Sequence, residues 1–180
     1  VENYIKGKKE GDKIFWHSNG KLNFQEKYLN GKLHGKCTWL SAQGALETIE
    51  NYKDGKKHGL FQFYFPCYGK GKNFIQYEMN YKEGKKHGKF SIFHEKGKQS
   101  EESYYKDDKL DGIQTRWFYT KHKSLGVSFG SGFSTTEYKN GIKHGYLNNF
   151  YNDGTVYKKA LYKRGKLIDL WEEDEDEDYN

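Results

Sequence analysis

The chain has 180 residues, a formal charge of +6 and a mean hydropathy of −1.12; only 34% of its residues are apolar, whereas 18% are aromatic and 21 are glycine. So little Leu, Ile and Val excludes a large two-layer core, and so many Tyr, Phe and Trp exclude a disordered chain, since disordered segments are poor in aromatics. Two cysteines, Cys37 and Cys67, make no disulfide framework, and no apolar run approaches the roughly 18 residues that a spanning helix needs.

The organising signal is a tyrosine that recurs at Tyr4, Tyr28, Tyr52, Tyr81, Tyr105, Tyr138 and Tyr162. The spacings are 24, 24, 29, 24, 33 and 24, one period of 24 interrupted by insertions of 5 and 9. Three residues after each Tyr stands Gly7, Gly31, Gly55, Gly84, Asp108, Gly141 or Gly165, and seven after it Gly11, Gly35, Gly59, Gly88, Gly112 or Gly145, then Asp169. The unit therefore opens Tyr-x-x-Gly-Lys-x-His-Gly. Further on come Gly20, Gly44, Asn73, Gly97, Gly130 and Gly154, several in hairpin dipeptides such as Asn19-Gly20 and Asp153-Gly154. Such dipeptides tolerate the positive φ that tight hairpin turns demand.

Taken along the chain, each copy then holds two turns and two extended stretches of about eight residues, and stretches such as Phe61-Gln62-Phe63 and Phe90-Ser91-Ile92 alternate as strands do. The prediction is an all-β, elongated, single-layer antiparallel meander of about seven hairpin repeats over residues 1–171. At about 4.8 Å per strand the ribbon would be roughly 65 Å long. The first insertion, near Pro66-Cys67-Tyr68-Gly69, and the second, Lys121 to Phe129, lengthen hairpin tips on one edge. The second recurrent glycine either ends a turn or leaves bare backbone for an aromatic ring to lie on. Residues 172–180 form an acidic tail in which Glu172 to Asp178 are seven consecutive acids, so the rest of the chain carries +13. That tail is expected to be solvated rather than bound along the Lys-rich turns at Lys56-Lys57 and Lys85-Lys86, because exposed charge pairs are weak.

Segments such as Tyr81-Lys-Glu-Gly84-Lys-Lys-His-Gly88-Lys-Phe and Tyr138-Lys-Asn-Gly141-Ile-Lys-His-Gly145 resemble MORN repeats, and look closest to the variant class of bacterial proteins. The resemblance runs from Tyr4 to about Asp169. It implies a curved single-layer hairpin ribbon with an aromatic-lined groove and no shared catalytic residues. Its relatives serve as scaffolds, dimerisation modules and phospholipid-binding surfaces, and one bacterial relative is regarded as an antitoxin. This chain departs from the pattern at Asp108, at Asp111 where a His is usual, and in its last copy at Ile168-Asp169, which reads as a capping half-repeat.

Chemistry is sparse. His34, His58, His87 and His144 share one repeat position but lie a whole hairpin apart, about 10 Å by strand spacing, far beyond the roughly 2 Å of a Zn–N bond. They read as caps on turn backbone rather than metal ligands. Gly69-Lys-Gly71-Lys and Gly130-Ser-Gly132 lead into no helix that would aim amides at a phosphate. No nucleophile–base set is marked, and Cys67 is a loop thiol. No catalytic residue, metal or cofactor is assigned, and the chain is expected not to be an enzyme.

Binding is better supported. Nine and eleven residues after the leading Tyr, the second to fourth copies carry Cys37, Trp39, Phe61, Phe63, Phe90 and Ile92, where the flanking copies carry Lys13, Phe15, Gln114, Arg116, Leu147 and Asn149. The six central residues are the expected exposed patch for a partner protein or a second copy. The more regular row twelve after the Tyr, at Trp16, Leu40, Tyr64, Phe93, Trp117 and Phe150, is the expected packing spine. The opposite assignment of the two rows stays open. A peripheral anionic phospholipid membrane is the alternative partner of the basic body, and nucleic acid is disfavoured because Lys collects at turns rather than along one groove. The chain begins at Val1, so a soluble cytoplasmic protein and a secreted or cell-surface one whose leader has been removed both stay open.

Overall fold

In the computed structural model, residues 1–66, 73–94, 97–121 and 128–173 are described. The chain divides into two compact units, Val1–Gln99 and Ser100–Asn180, each taken by itself below. Both are all-β, and the described residues contain no α-helix. Each is an open antiparallel meander that does not close into a barrel.

In the first unit the strands are β1 (Tyr4–Ile5), β2 (Lys8–Lys9), β3 (Gly11–Trp16), β4 (Leu22–Leu29), β5 (Lys32–Leu33), β6 (Gly35–Leu40), β7 (Leu46–Lys53), β8 (Lys56–Lys57), β9 (Gly59–Tyr64), β10 (Ile75–Lys82) and β11 (Lys85–Phe93). Their lateral order is β3-β4-β6-β7-β9-β10-β11; β5 and β8 extend the pairing of β4 and β7, and β1 pairs with β2. In the second unit, β12 (Gln99–Lys106), which begins at the last residue of the first, is followed by β13 (Lys109–Leu110), β14 (Gly112–Lys121), β15 (Ser128–Lys139), β16 (Ile142–Phe150), β17 (Val156–Lys163) and β18 (Lys166–Glu172). The order is β12-β14-β15-β16-β17-β18, with β13 paired to β12.

Two kinds of turn alternate, as the glycine spacing predicts, and they differ in backbone. After each leading Tyr the two turn residues both have positive φ, for example Asp54 (51°) with Gly55 (82°) and Asn140 (53°) with Gly141 (84°). That pair defines a type I′ turn, whose twist matches the strands it joins. In the other turn only the glycine is left-handed, as at Gly20 (80°) and Gly154 (88°). Its amide closes a four-residue turn, Gly20 onto the His17 carbonyl at 3.0 Å and Gly154 onto Tyr151 at 3.1 Å.

The second recurrent glycine marks a β-bulge. Gly35, Gly59 and Gly88 have φ of 92°, 90° and 92°, and the β10–β11 register slips between Met79 and Tyr81. A Cβ on Gly59 or Gly88 would meet the Asn51 or Asn80 side chain, not an aromatic ring, so the left-handed backbone is what selects glycine there.

The type I′ turn also joins one copy to the next. Its glycine amide donates to a carbonyl of the preceding copy: Gly31 to Lys9 (2.8 Å), Gly55 to Leu33 (2.8 Å), Gly84 to Lys57 (2.8 Å), Gly141 to Leu110 (2.7 Å) and Gly165 to Lys143 (2.9 Å). In three copies the side chain six residues after the leading Tyr clasps the same turn. Glu10 accepts the Asn30 amide at 2.8 Å, Asp111 accepts that of Asn140 at 3.0 Å, and His34 Nδ1 accepts that of Asp54 at 3.4 Å. A histidine capping turn backbone is thus seen at His34, and Asp111 does the same work with a carboxylate.

Of the insertions, residues 67–72 and 122–127, and with them Cys67, lie outside the described residues; so do residues 174–180 of the acidic tail. No helix among the described residues is long and apolar enough to cross a membrane.

Gly84 and Asp108 separate the backbone requirement from packing. Nothing lies within 4 Å of a Cβ built on Gly84, so only its φ of 87° opposes a side chain. Gly84→Ala should cost roughly 1–2 kcal/mol. Asp108 holds a φ of 69° at the equivalent position, and Asp108→Gly should stabilise by roughly 0.5 kcal/mol, since Asp tolerates this region only partly. Equilibrium urea denaturation of the two variants checks both signs.

Candidate binding surface

The leading tyrosines set one face of each sheet, and the buried apolar residues lie on it. In the first unit these are Cys37 and Phe61, both with no exposure, and Met79, while Ser91, 1% exposed, is buried on the opposite face across from Glu78. Phe61 sits opposite Met79, and Met79 opposite Phe90. The Phe61 ring is held between Tyr52 (centroids 5.6 Å, edge-on) and Tyr81 (4.7 Å), with Lys57 Nζ 5.1 Å from its centroid. Lys57 also stands 5.2 Å from the Tyr81 centroid, and Lys9 occupies the same place over Tyr28 at 5.2 Å. Where the residue five after a leading Tyr is Lys9, Lys57 or Lys143, it covers the Tyr of the following copy in a cation–π contact.

The tyrosine hydroxyls donate to the glutamates two residues earlier, Tyr28 to Glu26 at 3.0 Å and Tyr52 to Glu50 at 2.5 Å. Lys13 bridges Glu2 and Glu26 at 3.5 Å each. Burial, then the bond to Glu26, pushes the Tyr28 phenol up to about 12, and burial with Glu50 pushes Tyr52 up as well. Burial also raises the Cys37 thiol.

Cys37, Trp39, Phe61, Phe63, Phe90 and Ile92 do share this face, but they do not form one exposed patch. Cys37 and Phe61 are fully buried; Trp39, Phe63, Phe90 and Ile92 are half-buried. The expectation that the regular row twelve after the Tyr is the packing spine is likewise corrected. In the first unit strand alternation puts Trp16, Leu40, Tyr64 and Phe93 on the opposite face, where the Tyr64 hydroxyl donates to Gln62 at 3.3 Å. Trp16 is 44% exposed, and Leu40, Tyr64 and Phe93 are half-buried. The reason is position along the strand: Trp16, Leu40, Tyr64 and Phe93 each end theirs, with neighbours on one side only. The residue nine after the Tyr sits mid-strand between two leading tyrosines. In the second unit Trp117 and Phe150 flank Phe133 across β15, and Phe133 and Phe150 stack at 4.3 Å.

The accessible aromatic surface of the tyrosine face is a row crossing the whole first unit. Its cross-strand neighbours run Phe15, Phe24, Trp39, Thr48, Phe63, Tyr77 and Ile92. Phe15 stacks on Phe24 at 5.4 Å and Phe63 on Tyr77 at 4.3 Å. Phe15 is 54% exposed and the others are half-buried. Phe24 and Tyr77, four residues before a leading Tyr, were not singled out from the sequence, although that position is in phase with the repeat.

The second unit makes the same row from Glu101, Arg116, Ser134, Asn149 and Lys158. Its interior is polar as well. Buried Gln114 donates to Glu101 (2.9 Å) and to buried Ser103 (3.1 Å), Ser103 donates to Glu101 (2.8 Å), and Arg116 Nε lies 3.0 Å from the other Glu101 oxygen. Such a network is stable only when its members are satisfied together.

Around the type I′ turns, lysines face each other directly in register as Lys53 with Lys56, Lys82 with Lys85, Lys106 with Lys109 and Lys163 with Lys166. Like charges so placed destabilise a hairpin slightly. Among the described residues no group of three or more His, Cys, Asp or Glu is placed to hold a metal ion. The depression lined by Glu2, Lys9, Lys13 and Tyr28 has no room for a water molecule. A comparison with protein-family models finds no match, and a comparison with curated proteins finds no similar one.

Truncation should separate the two levels of this face. Phe61→Ala empties a fully enclosed site and should cost roughly 3–5 kcal/mol, whereas Phe63→Ala, already half in water, should cost well under half as much; urea midpoints read both. Tyr28 also gives a pH signature. Its folded pKa of about 12 lies above the unfolded value near 10. The stability it adds by staying neutral is complete below about pH 10 and is lost as the pH rises through about 12. Wild type should therefore lose more stability over that interval than Tyr28→Phe.

Proposed function

We propose that this chain is a non-enzymatic binding and assembly module that holds a partner protein on the aromatic row of its first unit. The observation that carries this reading is the continuous row from Phe15 to Ile92, partly open to solvent on the tyrosine face and filled by aromatic rings in five of its seven strands. Aromatic side chains are enriched where proteins dock, because they carry large area at low entropic cost. The polar equivalent in the second unit, from Glu101 to Lys158, would confine the partner to the first. The likeness of the repeat to MORN repeats supports a scaffold role, of which neutralising a toxin would be one case.

Anionic phospholipid is a second reading, supported by the facing lysines at the type I′ turns. Such pairs cost the free hairpin something that an anionic surface would offset.

Capture from the native cell with wild type, with Trp39→Ala plus Phe63→Ala, and with Arg116→Ala tests the first reading. Partners should be lost from the double variant and kept by Arg116→Ala; partners kept by both variants would refute it. Flotation with anionic vesicles at two ionic strengths tests the second: binding that fades with salt supports it, and no binding at low salt removes it.

A further inference from the structure

The last of the described strands, β18, is exposed along its whole length, with Leu167 50%, Ile168 58%, Leu170 48% and Trp171 50% exposed. Open strand edges invite pairing and are usually blunted by charge, proline or a covering element. Here four large apolar side chains lie together on one.

A further copy of the repeat is not what this edge is built to receive. Within the array the residue six after the leading Tyr is an acid or a histidine, and Glu10, His34 and Asp111 use it to clasp the next turn. In the last copy that position is Ile168, which has no acceptor. The bulge glycine is replaced by Asp169, and the bulge shrinks. Across β10 and β11 three residues lie between the partners of Tyr81 and Met79, against one residue between those two. Across β17 and β18 only Ile168 lies between the partners of Tyr162 and Leu161, which are adjacent. The strand therefore leaves the frame shared by internal copies, and a further copy stacked in that frame would lack the side-chain clasp and would meet the strand one residue out of step.

The charges favour one other arrangement. At the start of β18 stand Lys163, Arg164 and Lys166; at its end stand Glu172 and Glu173. Antiparallel pairing of this strand with itself, centred on Asp169, sets Lys166 against the partner's Glu172, Leu167 against the partner's Trp171 and Ile168 against the partner's Leu170. Each acidic end then lies beside the other molecule's basic turn. Glu172 already pairs with Lys158 across β17, so its carboxylate would be shared between two lysines. Asp169 meeting its equivalent is the one unfavourable contact. Parallel pairing would instead bring both acidic ends together.

We propose that β18 is the edge through which two copies of this chain join, antiparallel and about a two-fold axis at Asp169, as a closed dimer. A two-fold contact uses the same patch on both molecules and cannot propagate. Seven residues a side make a small interface, so the dimer forms reversibly rather than permanently. It uses neither the residues nor the unit of the aromatic row, so either proposal can fail alone.

Sedimentation velocity of the full chain over a concentration series tests it. A monomer–dimer equilibrium is expected, with Ile168→Lys and Leu170→Pro each raising the dissociation constant at least about tenfold while the far-ultraviolet spectrum stays unchanged. Should Leu170→Pro fail to fold, Ile168→Lys alone decides. In a Cys67→Ser background, Asp169→Cys should give a disulfide-linked dimer on mild oxidation. A monomer at every concentration, species larger than a dimer, or a dimer indifferent to Ile168→Lys would overturn the proposal.

Discussion

The structure depends on a backbone amide that can be aimed only from a left-handed turn. In five of the type I′ turns two consecutive residues take positive φ and the second amide is directed sideways onto a carbonyl of the preceding copy. An L-residue resists that conformation, and glycine does not. The recurrent glycine thus serves the turn and the joint together. Around this bond lie the other inter-copy contacts: a carboxylate or histidine on the neighbouring amide, and a lysine over the next tyrosine. Stability in such arrays comes from each unit and its nearest neighbours, so a joint repeated once per copy sets the stability of the whole.

Because the joints are backbone and turn chemistry, the interior between them can vary. One row of positions is Cys37, Phe61 and Met79 in the first unit but Ser103, Gln114, Thr136 and Ala160 in the second. The first is held by ring contacts around Phe61, the second by hydrogen bonds converging on Glu101. The surface rows follow their interiors, aromatic in one unit and polar in the other. A regular frame carrying irregular side chains lets each unit present its own surface, and on that ground the proposed partner is given to the first.

The strands, both turn classes and the copy boundaries were legible in the sequence because glycine and Asn/Asp positions report φ directly. The inward row was not. Regularity pointed to Trp16, Leu40, Tyr64, Phe93, Trp117 and Phe150, but hydrophobic period gives faces, not depth along a strand, and those in the first unit sit at strand ends. Phe61 and Cys37 are buried for a reason outside their own strands: the tyrosines of two successive copies close over that position. The contacts of Lys9 with Tyr28 and of Lys57 with Tyr81 are hidden for the same cause, since each joins one copy to the next. Sequence period locates a residue within its copy, while burial here is decided between copies.

Amide hydrogen exchange at Gly31, Gly55, Gly84, Gly141 and Gly165 tests the joint most directly. These five lie at exposed hairpin tips, where amides ordinarily exchange freely. If each donates to the copy before it, all five should exchange as slowly as the mid-strand amides of Phe61 and Met79. Exchange at the rate of unprotected turn amides would show that the copies are not joined in this way.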